Sequence, residues 1–357
     1  MAHPALVPGP PSPRAAGLGR GRPAREILAA LVVAAALVAA GRARAAPIIL
    51  KFSHVVAVDT PKGQAAEFFR RRAEELTGGR VRVEVYPNST LYKDREEIEA
   101  LQLGAVQMLA PSLSKFGPLG IREFEVFDLP FLFSDEAALR KVTQGPVGRA
   151  LLAKLEPKGI VGLAYWDNGF KAFSAQRPLR RPEDFRGLRV RIQPSLVLDA
   201  QVRALGAVPQ VLAFSDVYRA LRAGVVDAAE NPISNFWTQR MYEVQRHVTV
   251  TDHGYLGYAL VVNKRFWDGL PTELRHLLEQ AVAEATEYGN QIARRSNEEA
   301  LAKLRATRTS EVHVATPAER LALKRVLVPV HGQVADRVGR ALISDIYRAT
   351  GFQPDRL

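Results

Sequence analysis

Two periodicities alternate along the chain. IILKFSHV at 48–55 reads as a strand, and GQAAEFFRRRAEELTGG at 63–79 sets Ala65, Phe68, Phe69, Ala73 and Leu76 on one helical face before Gly78 and Gly79 end it. VRVEVY at 81–86 returns to period two. In DREEIEALQLG at 94–104, Asp94 with Glu97 three residues on predicts a capped helix that stops at Gly104. The rhythm continues through VQMLAPS (106–112), GIVGLAYWDNG (159–169), LRVRIQPS (188–195), a helix at 196–206, VPQVLAF (208–214), a helix at 215–224 and VVDAAENP (225–232). Strands alternating with helices predict an α/β fold with largely parallel sheets covered on both faces. A β-prone stretch at 251–267 and a proline-free helical pattern from 272 to about 305 complete it. At 1.5 Å per residue that helix is about 50 Å long, enough to span two lobes.

The N-terminal segment departs from this pattern. A Pro/Gly/Arg-rich start leads to the apolar run ILAALVVAAALVAA at 27–40 and then GRARAAP, the layout of a secretory signal peptide cleaved after Ala45. The 14-residue run falls short of the roughly 20 residues a membrane anchor needs. Its removal takes away six arginines and one glutamate, so the formal charge drops from +12 to +7. No run of five or more basic residues and no aromatic-basic ladder points to nucleic acid, and a small anion suits the surplus better. The 357 residues contain no cysteine, which excludes disulfides, thiolate metal sites and cysteine nucleophiles. The seven histidines never fall in H-E-x-x-H or i, i+4 spacing, and no nucleophile elbow, dinucleotide loop or phosphate loop is present. No metal or cofactor is expected.

Ligands of open α/β sheets gather beyond the carboxyl ends of strands. Ser112, Arg191 and Asn231 each stand there, just before a turn. In LRVRI, Leu188, Val190 and Ile192 face one way, which sends Arg189, Arg191 and Gln193 into water or onto a ligand. An isolated arginine at such a place reads as solvated or salt-bridged. Together the three residues offer a hydroxyl, a guanidinium and an amide, and the planar guanidinium forks onto both oxygens of a carboxylate. Phe214, Phe236 and Trp237 lie near these segments, where isolated aromatics read as core. An exported enzyme using Asp167, Glu230 or His253 as acid or base is the rival reading.

As a set, YWDNGFKAFS, GLRVRIQPS, GAVPQVLAFSDVYRALRAGVVDAAENP, the stretch from MYEVQ to WDGLP and VYPNSTLYKDREEIEALQLGAVQMLAPS closely resemble the periplasmic solute-binding proteins of TRAP transporters, in the C4-dicarboxylate-binding DctP branch. The resemblance covers about 47–351. It implies a non-enzymatic, monomeric receptor whose two lobes close on an organic acid and pass it to TRAP permease subunits in the membrane. Arg191 then grips a carboxylate, Asn231 assists it and Phe214 lines the cleft. Lys171 stands where other branches often carry arginine, and Ser112 where a sialic-acid branch carries glutamate. These departures imply a pocket with one negative charge fewer, and a second cation facing Arg191, which suits succinate, fumarate or malate; a 2-oxo or hydroxy acid is the alternative. Lys62, Gln193, Asn235 and His54 are further candidate donors. The implied lobes are 46–168 plus 257–296 and 169–256 plus 297–357, with the long strand and helix shared.

Overall fold

The computed structural model describes residues 46–355, together with 1 and 9–11, so the expected signal segment lies almost wholly outside the described residues. The described residues from 47 onward form one compact unit. Its strands are β1 (Ile48–Ser53), β2 (Val81–Tyr86), β3 (Met108–Leu109), β4 (Ile160–Ala175), β5 (Arg189–Ile192), β6 (Val208–Val211), β7 (Ala228–Asn231), β8 (His247–Asn263) and β9 (Glu311–Val314). No described helix is long and apolar enough to cross a membrane.

All nine strands join one sheet in the order β2-β1-β3-β8-β4-β7-β5-β6, with β9 beside β8. Parallel pairs at either end (β1 with β2 and β3, β5 with β6 and β7) flank antiparallel pairs of β8 with β3 and of β4 with β8 and β7. With β9 parallel to β8, most pairs are parallel as expected, but the central pairs are antiparallel and the sheet is mixed. The reason is the length of β4 and β8, 16 and 17 residues, which pair with each other from Ile160 opposite Asn263 to Ala175 opposite His247. Local alternation reveals a strand but not which distant strand it pairs with.

That central pair breaks register where the two ends meet. Between Phe170 opposite Tyr255 and Ala172 opposite Val250, β8 sets residues 251–254 against Lys171 alone. Asp252 in this bulge has φ +49°. On β4, Gly169 has φ +146°, and a Cβ there would lie 2.7 Å from Asn297 Nδ2. Asn297 belongs to the long helix Thr272–Thr307, 36 residues, and donates to the Asn168 carbonyl at 2.6 Å. Bulges bend and twist strands, so the irregularities concentrate deformation at one level of the sheet.

Four apolar clusters cover the sheet. Two involve β1, β3 and the second half of β8, one around Phe116, Phe124 and Val261, the other around Leu50, Phe69 and Leu260. Two involve β5 and β7, one around Phe214, Ala229 and Val248, the other around Phe173, Val190 and Ile192. Each end thus carries a core on both faces. Val330, Val334, Ile343 and Ile346 pack in the first cluster, so the chain beyond residue 330 helps to cover the face that carries Val261.

Candidate functional site

Alternation in β5 places Val190 and Ile192 in an apolar core and leaves Arg189 exposed against Asp227 at 2.7 Å. Arg191 goes neither to water nor to a surface ion pair. It is 3 % exposed, and its Nε and Nη2 donate to the Leu212 carbonyl at 3.1 and 2.9 Å. Its guanidinium carbon lies 5.8 Å from the centre of the Phe214 ring. No carboxylate lies within salt-bridge distance of it among the described residues. Burial lowers its pKa against the opposing pull of Asp94 and Glu230. The Leu212 carbonyl fixes one edge of the guanidinium, and the fork formed by Nη1 and Nη2 stays available for an anion. Arg191 stands opposite Ala229 in the β5–β7 register, which puts Asn231, two residues on, over the same face of the sheet. The Asn231 amide nitrogen lies 3.8 Å from Met241 Sδ.

A second unpaired cation lies at the end of β1 and β3. Lys62, in the first turn of the helix Pro61–Leu76, is 1 % exposed; its ammonium donates to the Ala110 carbonyl at 2.9 Å and lies 3.8 Å over the Tyr258 ring. Burial first, then the neighbouring Lys115, lowers its pKa to about 7. His54 is held neutral, its pKa pushed down to about 3 by burial and by Lys62. The ring nitrogens of His54, Asn235 Oδ1 and the Tyr258 hydroxyl are buried with no partner in good hydrogen-bond geometry, His54 having only the Val56 backbone and the Tyr258 hydroxyl only Asn235 close by. Asn235 stands next to Tyr258, and Ser112 forms a bridge with it. Ser112 Oγ accepts from Gln193 Nε2 at 2.8 Å. Buried polar groups left unpaired cost about 1–3 kcal/mol each, so such a cluster is a place built for another molecule's polar atoms.

Two other buried cations are balanced within the protein. Lys171 donates to Glu230 Oε1 at 2.7 Å, the other Glu230 oxygen lies 2.9 Å from His253 Nε2, and His253 Nδ1 lies 2.6 Å from Thr251 Oγ1. Burial alone would raise the Glu230 pKa, but Lys171 and His253 outweigh it and hold it at about 2. Lys115 touches Asp94 and lies 2.5 Å from Glu97. The charge subtraction expected from Lys171 and Ser112 is therefore offset, because Glu230, Asp94 and Glu97 bring buried carboxylates to the neighbourhood.

Asp94, Glu97 and Lys115 were not singled out as site residues from the sequence. Asp94 does not cap the helix as expected; Glu96 takes the cap position without a side-chain bond to the helix N–H groups, while Asp94 accepts the Phe214 N–H. A cavity of about 360 Å³ opens here, with Asp94, Lys115, Arg191, Gln193, Leu212 and Ala213 among its walls. No described cluster of three His, Asp or Glu residues could hold a metal ion.

Arg191, Gln193 and Phe214 thus meet at one end of the sheet, and Lys62, His54, Ser112 and Asn235 around Tyr258, with the Gln193–Ser112 bond joining the groups. An α/β fold that buries two unpaired cations beside unsatisfied polar atoms defines a solute-binding protein for small anions. The chain belongs to the bacterial extracellular solute-binding protein family 7, DctP, whose family model matches residues 52–337. This is a family of TRAP-transporter receptors, not of enzymes. The chain is 61 % identical to the C4-dicarboxylate-binding periplasmic protein DctP of Rhodobacter capsulatus over 91 % of this chain and 98 % of the relative. It also resembles the TRAP periplasmic solute-binding protein of Shewanella oneidensis with bound succinate (TM-score 0.83, 42 % identity, 85 % of this chain and 100 % of that one). A third relative is the corresponding protein of Pseudomonas aeruginosa with bound L-malate (TM-score 0.79, 44 % identity, 80 % and 100 %).

Proposed function

We propose that this protein captures C4-dicarboxylates such as succinate, fumarate and malate in the periplasm as a monomeric receptor and delivers them to TRAP permease subunits. The observation that carries the reading is the buried Arg191 guanidinium, bonded on one edge to a carbonyl and free of any carboxylate partner among the described residues. Desolvating an unpaired charge costs several kcal/mol, and a bound carboxylate on the Nη1–Nη2 fork offsets that cost. Asn231 and Gln193 assist at this end, and Phe214 forms the wall. Lys62, rather than Lys171, takes the second carboxylate, because Glu230 already neutralises Lys171 while Lys62 bonds a carbonyl and faces a ring, with Glu97 and Asp94 acting on it from beyond salt-bridge distance. His54, Ser112 and Asn235 complete that end.

The two ends of the sheet act as lobes, each with a core on both faces, and the bulges of β4 and β8 form the hinge. Four or five hydrogen bonds to charged groups, each worth about 1.5–3 kcal/mol, sum to about 6–15 kcal/mol before ordering costs are subtracted, a range that includes the roughly 8 kcal/mol of micromolar binding. Calorimetry on the chain from Ala46 tests the assignment. Micromolar binding of succinate, fumarate or malate, with much weaker binding of butyrate, is expected. Absence of heat and of any thermal shift with all three acids at millimolar concentration overturns it.

A further inference from the structure

We propose that Asp94 is a positioning residue that couples closure of the two lobes to the grip of Arg191, an inference that rests on the two-lobed receptor reading above. Its sequence context, Asp94-x-x-Glu97, is that of a helix cap, yet its carboxylate leaves the helix and reaches Phe214, 120 residues further along. One oxygen faces the Lys115 ammonium, which also binds Glu97 at 2.5 Å; the other accepts the Phe214 N–H. Asp94, Glu97 and Lys115 belong to the β1–β3 lobe and Phe214 to the β5–β7 lobe, so the bond crosses from one to the other.

The far side of this contact is the segment that holds Arg191. Leu212 O accepts two N–H groups from the guanidinium, and Phe214, two residues on, gives its N–H to Asp94 and its ring to the face near Arg191. Segment 212–214 is thus fixed at one end by the ligand-gripping arginine and at the other by the opposite lobe. When the lobes part, the Phe214 N–H loses Asp94, and the carbonyl that aims Arg191 loses its support two residues away. Phe214 also starts the turn Phe214–Asp216 that leads into the helix Val217–Arg222, so the carboxylate caps that turn from across the cleft.

Charge keeps Asp94 available for this role. Burial would raise its pKa, but Lys115, the Phe214 N–H and Arg191 together outweigh burial and lower it to about 2, leaving the carboxylate ionised. The nearby Lys93–Asp216 pair, 3.9 Å apart with side chains 52 % and 34 % exposed, is too solvated to do the same. Gln193 bonds Ser112 and Ser114 between the same lobes, but these are neutral contacts.

The absence of cysteine allows two spin labels to be placed cleanly, at the exposed Gln102 and Arg222, one on each lobe. In saturating succinate the labelled parent is expected to show the short-distance, closed population. Asp94→Ala is expected to return much of it to the ligand-free distances, to weaken succinate about tenfold and to speed dissociation by a similar factor, with association changed less than twofold. Asp94→Glu restores part of each. Thermal melting of the ligand-free variants reports folding; should Asp94→Ala fail to fold, Asp94→Asn, which keeps the shape and loses the charge, is read in its place.

A variant that closes and releases succinate as the parent does, or that loses affinity with an unchanged distance distribution, overturns the proposal. If the parent itself does not bind succinate, the receptor reading fails. The ligand-free distances then decide on Asp94: loss of the short-distance population in the variant supports it, and identical distributions refute it.

Discussion

Four lysine and arginine side chains are buried among the described residues, and they fall into two kinds. Lys115 and Lys171 sit against carboxylates within salt-bridge distance, whereas Arg191 and Lys62 donate to backbone carbonyls and have no carboxylate that close among the described residues. The first kind is complete without a ligand. The second is not, and its incompleteness marks where an anion belongs. Burial alone would not have separated the two kinds, since all four side chains are 5 % exposed or less.

The largest effect expected from this contrast is on stability. Lys171→Met leaves Glu230 buried with only the neutral-leaning His253 beside it, and is expected to cost about 3–5 kcal/mol in urea unfolding of the ligand-free protein. Lys62→Met removes a charge that has no carboxylate within salt-bridge distance among the described residues, only the longer-range pull of Glu97 and Asp94, and should leave ligand-free stability within about 1 kcal/mol of the parent or raise it. A similar loss in both variants would erase the distinction.

Affinity provides the next test. Arg191→Lys keeps the charge but loses the fork, and a drop of at least about tenfold for succinate, or about 1.4 kcal/mol, is expected by calorimetry. Lys62→Met should weaken succinate more than butyrate; equal weakening would return the second carboxylate to Lys171.

A smaller effect is the pH dependence of binding. The Lys62 pKa is lowered to about 7 in the unliganded site, and a bound carboxylate favours its charged form. Binding therefore takes up a proton above pH 7, and affinity should fall as pH rises from about 7 to 9, by at most about tenfold per unit. Calorimetry in buffers of different ionisation enthalpy measures the uptake, and Lys62→Met should abolish it. Smallest of all, Arg80→Ala breaks an exposed pair with Glu273, 2.7 Å apart, and should change stability by less than about 1 kcal/mol.

How much of this was legible in the sequence depends on the range of the signal. The alternation of Leu188, Val190 and Ile192 revealed β5, and the proline-free pattern revealed the long helix to within a few residues. Strand ends revealed where Ser112, Arg191 and Asn231 would stand, and the family resemblance supplied the receptor. The mixed sheet was not legible, because nothing in residues 160–175 says that they pair with 247–263. Asp94 was misread for the same reason. Its local pattern is identical to a helix cap, and only Phe214, brought in by the fold, reveals its use. The partners of Lys171 were hidden likewise, since Glu230 and His253 arrive from two other strands.

The most direct test of the account is a crystal structure with succinate bound. One carboxylate is predicted on the Nη1–Nη2 fork of Arg191, with the Leu212 carbonyl still bonded to the other edge, and the second carboxylate on the Lys62 ammonium. Succinate bound to Lys171 with Glu230 displaced, and no carboxylate at Arg191, would contradict it.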